Sequence, residues 1–404
     1  MRTVVVTGGG AAGMIAAVFA ARRGNRVILI EKNEKLGKKL YITGKGRCNL
    51  TNDCTPEEFL ENVVSNAKFL SGAIRAFSPQ NTQDFFEEIG LKLKTERGNR
   101  VFPLSEKASD VTKFLSKELE KEKVEIALSE KVEKIVYRNG CVSEVLTDKR
   151  EIACDSVVIC TGGLSYPATG STGDGYLFAR AAGHTIKEPK PALVGIETKE
   201  NFARLQGLSL KNVALHAYLN GKSVFCETGE MLFTHFGISG PLVLSVSALV
   251  NRSAPEEVLF KLDLKPGLTE EQLYNRIERD FAEAKGKTVE NGMVKLMPSR
   301  LIDFILARAA DKNKRVSEIS NAEKRKIVSV MKGFEIRMLR LRPIEEAVIT
   351  AGGVNIKEVN PKSMESKLIQ GLFFAGEVLD LDAFTGGFNL QIAFTTGYIA
   401  GNHA

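Results

Sequence analysis

Residues 3–31 read TVVVTGGGAAGMIAAVFAARRGNRVILIE, and this stretch decides the fold. The β-branched run Thr3–Thr7 suits a strand. After Gly8, Gly10 and Gly13 comes a helix from about Ala12 to Arg23, stopped by Gly24, and then a second strand, Arg26–Ile30. That helix is apolar on every side, as burial beneath a sheet requires. In such a strand–turn–helix Gly8 permits the tight turn, Gly10 lets the backbone approach a pyrophosphate, and Gly13 permits close helix packing. The free N–H groups of the helix's first turn face the phosphates. Glu31 ends the second strand, where it can accept hydrogen bonds from a ribose diol and disfavours a 2′-phosphate. The unit predicts a dinucleotide site for FAD or NAD rather than NADP.

The far end of the chain narrows the choice. Residues 371–391, GLFFAGEVLDLDAFTGGFNLQ, read as a strand ending at Gly376-Glu377, a turn through Gly386, Gly387 and Asn389, and the start of a helix. A carboxylate in the position of Glu377 hydrogen-bonds a ribityl chain. The following helix aims its N-terminus at the flavin N1/C2 carbonyl. The fingerprint occurs once and is followed by a β-meander, not by further βα repeats, so FAD is the expected ligand. On the last helix Ala393, Gly397 and Gly401 recur every four residues, a smooth face expected to approach the sheet.

Between these ends the pattern changes twice. KVEKIVY, CVSEVL and SVVICTGG form three β-type runs, with Asn139-Gly140 marking a hairpin. From about Leu193 to Leu264 the chain is β-rich, with a second hairpin at Asn220-Gly221, and a small barrel or sandwich is expected. Thr269 opens a capping box before Leu273, Ile277 and Phe281. Pro298 opens a second helix, and Ser320 with Glu323 caps a third that ends at Gly333. The expected fold class is α/β: an FAD-binding Rossmann-like domain (1–190 and 345–404), an inserted β-barrel (191–268 and 333–344) and a small helical insert (269–332).

With 43% apolar and 26% charged residues, the chain has an ordinary globular composition. It opens directly on a strand, without the features of a signal peptide, and its longest apolar stretch, Ile238–Val250, is too short to span a bilayer, so a cytoplasmic location is expected. Six cysteines lack C-x-x-C spacing and four histidines form no ligand-spaced pair, which argues against a disulfide framework or a metal site. The net charge of +7 is unevenly spread. Lys32–Arg47 holds six cations against Glu34. Residues 311–342 hold ten Lys/Arg against four Asp/Glu. The bland reading is a solvated face plus phosphate contacts; the sharper one is a surface for an anionic partner, including RNA.

The chain resembles the BaiN-like family of FAD-dependent oxidoreductases, also labelled aminoacetone-oxidase-like or YhiN-like. The matching stretches are GGGAAG (8–13), GKGRCNLTN (44–52), CTGGLSYPATGSTGDGY (160–176), GEMLFTHFGISGP (229–241), ITAGGV (349–354) and residues 371–391. The resemblance implies the same three-part fold. It places Gly44, Arg47, Cys48 and Asn49 along the flavin and Thr161 and Gly162 near its phosphate side. Ala11, Ala12, Lys32, Gly37, Val132, Leu390 and Gln391 are assigned to cofactor contact with them. The resemblance includes members linked to steroid-ring reduction and others that make dihydrouridine in ribosomal RNA.

The expected reaction is reduction of an activated C=C bond in a small molecule, with NADH or NADPH admitted transiently as donor. An RNA-modifying enzyme forming dihydrouridine is the alternative, with Lys312, Lys314, Arg315, Lys324, Arg325 and Lys326 tracking phosphates. A thiol–disulfide enzyme using Cys48 and Cys54 is a weaker competitor because five residues, not four, separate them. A fumarate-type reductase would need convergent Arg and His residues, for which Arg47 and His235 are available. His235 and Tyr166 are candidate proton donors. For His235 a core or hydrogen-bonded structural role stands beside the catalytic one.

Overall fold

Val4, Val5 and Val6 are fully buried in the central strand of a parallel sheet. The computed structural model describes all 404 residues. β1 (Thr3–Thr7) leads through the glycine turn into α1 (Ala11–Arg22) and β2 (Arg26–Glu31). The helix starts one residue earlier than expected because Gly10, in extended conformation, serves as its N-cap. A short α2 (Lys38–Ile42) follows. Residues 51–103 then carry further structure, including helices Pro56–Glu61 and Pro79–Glu88, each opened by a capping box. α3 (Ala108–Lys121) and β3 (Glu125–Leu128) precede the meander β4 (Val132–Arg138), β5 (Cys141–Thr147) and β6 (Glu151–Ala153). Asn139 (φ 51°) and Gly140 (φ 76°) make its hairpin turn. β7 (Ser156–Ile159) returns to the parallel sheet, and α4 (Asp174–Ala181) follows.

The chain divides into two compact units, Met1–Ala192 with Pro343–Ala404, and Leu193–Arg342. The second contains a closed barrel of β8 (Ile196–Thr198), β9 (Ser209–Leu219), β10 (Lys222–Phe233), β11 (Gly237–Ser239), β12 (Val258–Asp263) and β13 (Phe334–Leu341). One part of this β-rich span is helical: Pro241–Val250, where Pro241 sits at the first helical position after Gly240. The helices Glu270–Glu283, Ser299–Leu306 and Asn321–Lys332 follow β12. Their buried Leu273, Ile277, Ile302, Ile305 and Met331 share one core with the barrel's Phe260 and Phe334.

The first unit is completed by β14 (Ile349–Val354), β15 (Leu372–Phe374) and α5 (Phe388–His403). Its sheet has the order β15-β7-β1-β2-β3, all parallel. The small-residue face of α5 meets α1, not the sheet. A Cβ on Gly397 would lie 2.5 Å from Ala12 O, and one on Gly401 would lie 2.3 Å from Ala16 O. A helix backbone is the close neighbour: the glycines of α5 rest on the Ala12 and Ala16 carbonyls of α1.

Candidate flavin site

Strand register brings four loops to one edge of the parallel sheet. Thr7 pairs with Ile30 and with Ile159, and Ile159 pairs with Phe374, so β1, β2, β7 and β15 end level with one another. At or just beyond these strand ends lie Gly8–Gly13, Glu31, Cys160–Gly163 and Ala375–Glu377, the segments expected to hold the cofactor. The chain moves from β1 to β2 on one side and later returns to β7 on the other. A ligand crevice outside the carboxyl ends is expected at such a reversal.

The glycine loop fits a dinucleotide. Gly8 (φ +100°) packs so that a Cβ would lie 2.6 Å from Cys160 O, and a Cβ on Gly13 would lie 1.9 Å from Gly8 O. Above Gly10, by contrast, no atom lies within 4 Å of an ideal Cβ. Glu31 is buried, with Oε2 accepting from Gly9 N (2.8 Å) and Oε1 from Asn33 N (2.8 Å). Two further atoms fit a polar ligand: Asn49 Oδ1 and Thr161 Oγ1 are buried without a hydrogen-bond partner.

Other predicted contacts turn inward. Lys32 Nζ donates to Thr172 Oγ1 and Asp174 Oδ2 (2.7 Å). The Asn389 amide is spent on Ala383 and Phe384 backbone, and Gln391 is fully buried against Thr51, Phe77 and Thr395. Their side chains shape the turn before α5, whose first N–H groups have no intrahelical partners and face outward from the helix end; Leu390 lies in that first turn. Val132 is buried at the start of the meander. Gly37 (φ 67°) caps α2 and donates to Gly9 O, tying the two loops together; Gly44 (φ 56°) lies in the following turn. Ala11 opens α1, Ala12 packs beneath Gly376 and Gly397, and a Cβ on Gly162 would meet Ser171 Oγ at 2.7 Å.

Glu377 is held by a network that spacing alone does not reveal. Its Oε2 pairs with Lys39 Nζ (2.7 Å), and its Oε1 accepts from Ser165 Oγ (2.9 Å) and Thr350 N (2.9 Å). Lys39 Nζ also donates to Ser165 Oγ (2.6 Å), and Thr350 Oγ1 accepts from Leu164 N and Ser165 N. Tyr176 is a second unanticipated residue: its hydroxyl is buried without a partner, and burial, with Glu377 and Asp380 nearby, pushes its pKa far up.

The candidate catalytic residues have different surroundings. Arg47 stacks over Phe102 (4.1 Å to the ring centre) and pairs with Glu96 and Glu106, so its charge is compensated within the protein. Tyr166 is half-buried and left-handed (φ 52°), an uncommon conformation for a bulky residue and one that clusters at functional sites. His235 belongs to the barrel unit. It is exposed in the turn between β10 and β11, edge-on to Phe236, so the core role is excluded. Cys48 is fully buried and Cys54 half-buried; burial pushes their thiols up to about 12 and about 11. All six cysteines are free. Thiolate chemistry needs the opposite shift, which weighs against the thiol–disulfide reading.

The basic segment is not a bare cationic surface. Lys312 pairs with Asp303, Lys314 with Glu323, Lys324 with Glu278, and Arg325 with Glu271 while stacking over Tyr274. Arg315 donates to the Gly286 carbonyl, and Lys326 is exposed. Most of these acids lie outside 311–342, which is why a local count overstated the excess.

A family model described as the HI0933-like protein Rossmann domain matches residues 2–403. The chain belongs to the HI0933-like family. It is 32% identical to the 3-dehydro-bile acid delta(4,6)-reductase of Clostridium scindens, over 100% of this chain and 99% of that protein. It is also 30% identical to the ribosomal RNA dihydrouridine synthase of Haemophilus influenzae, over 98% of this chain and 96% of that one. Among solved structures, the 3-ketosteroid-delta4-(5alpha)-dehydrogenase of Rhodococcus jostii RHA1 matches with a TM-score of 0.55 at 16% identity, covering 100% of this chain and 96% of the other. That likeness concerns the fold alone. The chain is thus an FAD-dependent oxidoreductase with a Rossmann-type domain. No helix is long and apolar enough to cross a membrane.

Proposed function

We propose that this flavoenzyme reduces an activated C=C bond of a small molecule, taking electrons from NADH or NADPH. The observation that carries the reading is the end-to-end relationship to the delta(4,6)-reductase. The buried, high-pKa thiols support it, because they leave the flavin as the redox group that serves substrate. FAD, when bound, supplies two-electron hydride chemistry. The chain's own residues bind and orient: the Gly8–Gly13 loop and the α1 N-terminus take the pyrophosphate, Glu31 the ribose, and Glu377 with the α5 N-terminus the flavin side. Tyr166 is the proposed proton donor, because its strained backbone fixes a hydroxyl-bearing side chain in the loop that follows β7; His235 is the alternative. The test is anaerobic: NADH and NADPH are titrated into yellow enzyme, and a conjugated enone is then added. Bleaching, followed by product heavier by two hydrogens, is expected. Enzyme that no nicotinamide nucleotide bleaches would refute the donor assignment.

A second reading is favoured by one observation, the kinship with ribosomal RNA dihydrouridine synthases of Haemophilus influenzae and Escherichia coli. Saturating the uridine C5=C6 bond is the same chemistry on a larger substrate. The internally paired cations of residues 311–342 weigh against that segment as the RNA surface. Dihydrouridine in ribosomal RNA, compared with and without the gene, separates the two.

A further inference from the structure

We propose that Lys39 is a flavin-positioning residue that acts through Glu377, by cancelling the carboxylate's charge where the site must receive a dianion. The inference rests on the flavin site and not on the substrate proposed above. Lys39 and Glu377 stand far apart in sequence, yet their side chains meet at 2.7 Å and are only 23% and 20% exposed. Ser165 Oγ touches both, and Thr350 N fixes the other carboxylate oxygen. The pair thereby ties α2, the loop after β7, the start of β14 and the end of β15 into one cluster.

Charge makes this arrangement consequential. The cofactor's pyrophosphate brings two negative charges to a site that already holds Glu31 and Glu377. Lys32, the other nearby cation read from sequence, is engaged with Asp174. Lys39 is the cation that faces Glu377. Remove it, and a partly buried carboxylate on the flavin side of the same crevice is left uncompensated as a dianionic cofactor enters, which is costlier than losing an exposed pair. Remove both charges, and the repulsion disappears although two hydrogen-bonding groups have changed. A lysine that gripped the phosphates directly would behave differently, because neutralising Glu377 could not replace its contact.

Full-length apo-protein is titrated with FAD, and binding is read from quenching of flavin fluorescence. Wild type, Lys39→Met, Lys39→Arg, Glu377→Gln and the double variant Lys39→Met/Glu377→Gln are compared. K39M should weaken FAD by about tenfold or more, the scale of breaking a partly buried charge pair. K39R, which keeps the charge in a bulkier group, should bind FAD more tightly than K39M. The double variant should bind FAD more tightly than K39M alone. A double variant equal to or weaker than K39M overturns the proposal, as does K39M with wild-type affinity. If K39M does not purify folded, Lys39→Gln takes its place, keeping a donor for Ser165 without the charge. Wild-type protein that fails to bind FAD would instead refute the flavin site itself, so the two failures remain distinct.

Discussion

Replacing Gly10 and, separately, Gly13 by alanine should divide cofactor binding from folding within one loop. A methyl group at Gly13 would stand 1.9 Å from Gly8 O and 3.2 Å from Cys160 Cβ. Carbon and oxygen in non-bonded contact keep roughly 3.3 Å apart, so the loop must yield by about 1.4 Å. Overpacking costs about 1–3 kcal/mol. Because the obstacle is a backbone carbonyl, the upper end applies, lowering the melting temperature of the apo-protein by roughly 5–10 °C. Gly10 is the opposite case. Its φ of −85° and ψ of −166° suit any residue, and nothing lies within 4 Å of the added methyl. The apo-protein should melt within about 2 °C of wild type, or slightly higher, since alanine restricts the unfolded chain by about 0.4–1 kcal/mol. The methyl occupies the pyrophosphate's approach, so FAD affinity should fall by about a hundredfold, or about 3 kcal/mol. Thermal unfolding of the two apo-proteins and FAD titration decide the matter. Wild-type FAD affinity in G10A, or equal destabilisation of G10A and G13A, would refute the reasoning.

Gly397→Ala should lower the melting temperature of the apo-protein by several degrees, because its methyl meets Ala12 O at 2.5 Å; an unchanged melt would contradict the α1–α5 contact. Burial holds the His184 imidazole below its ordinary pKa, with Glu358 partly opposing. The unfolded imidazole titrates near about 6.5, so this stability is complete above that pH and declines as pH falls towards the folded value. His184→Gln should flatten that decline in melts between about pH 7.5 and about pH 5.5, and identical slopes would rule it out. Native protein at about pH 8 should be alkylated at exposed Cys226, whereas buried Cys48 and Cys160 react only in denaturant; mass mapping of early labelling at Cys48 would overturn the burial argument. Thr350→Val strands the Leu164 and Ser165 N–H groups and should cost about 1–3 kcal/mol of stability in chemical denaturation; a difference below about 0.5 kcal/mol would refute it.

What was legible in the sequence was what is local. The β1–α1–β2 unit, the Asn-Gly hairpins and the capping boxes at Thr269 and Ser320 depend on residues a few positions apart, and each appears where its spacing predicts. The glycine stripe on α5 announced a close approach but not its partner, because a missing side chain does not say what fills the space. Lys39 was hidden in a run of cations, since charge counting cannot identify the one whose carboxylate lies at Glu377. The same blindness exaggerated residues 311–342, whose acids Glu271, Glu278 and Asp303 precede the segment. Ile238–Val250 could be weighed as a membrane span and rejected, but its helix emerged only as an element packed against the barrel strands.

The discontinuous flavin unit also sets a timetable for its own synthesis. Its first part, through Ala192, leaves the ribosome before the whole of Leu193–Arg342, and α5 comes after that. At about 5–20 residues per second, the delay is on the order of ten seconds. Throughout it α1, apolar on every face, lacks the helix whose glycines come to rest on its Ala12 and Ala16 carbonyls. The barrel unit is contiguous and has every residue of its core in hand before α5 exists. The nascent nucleotide-binding half is therefore the part most in need of chaperone cover. Flavin capture belongs to the end of that sequence of events, once Gly397 and Gly401 have closed onto Ala12 and Ala16.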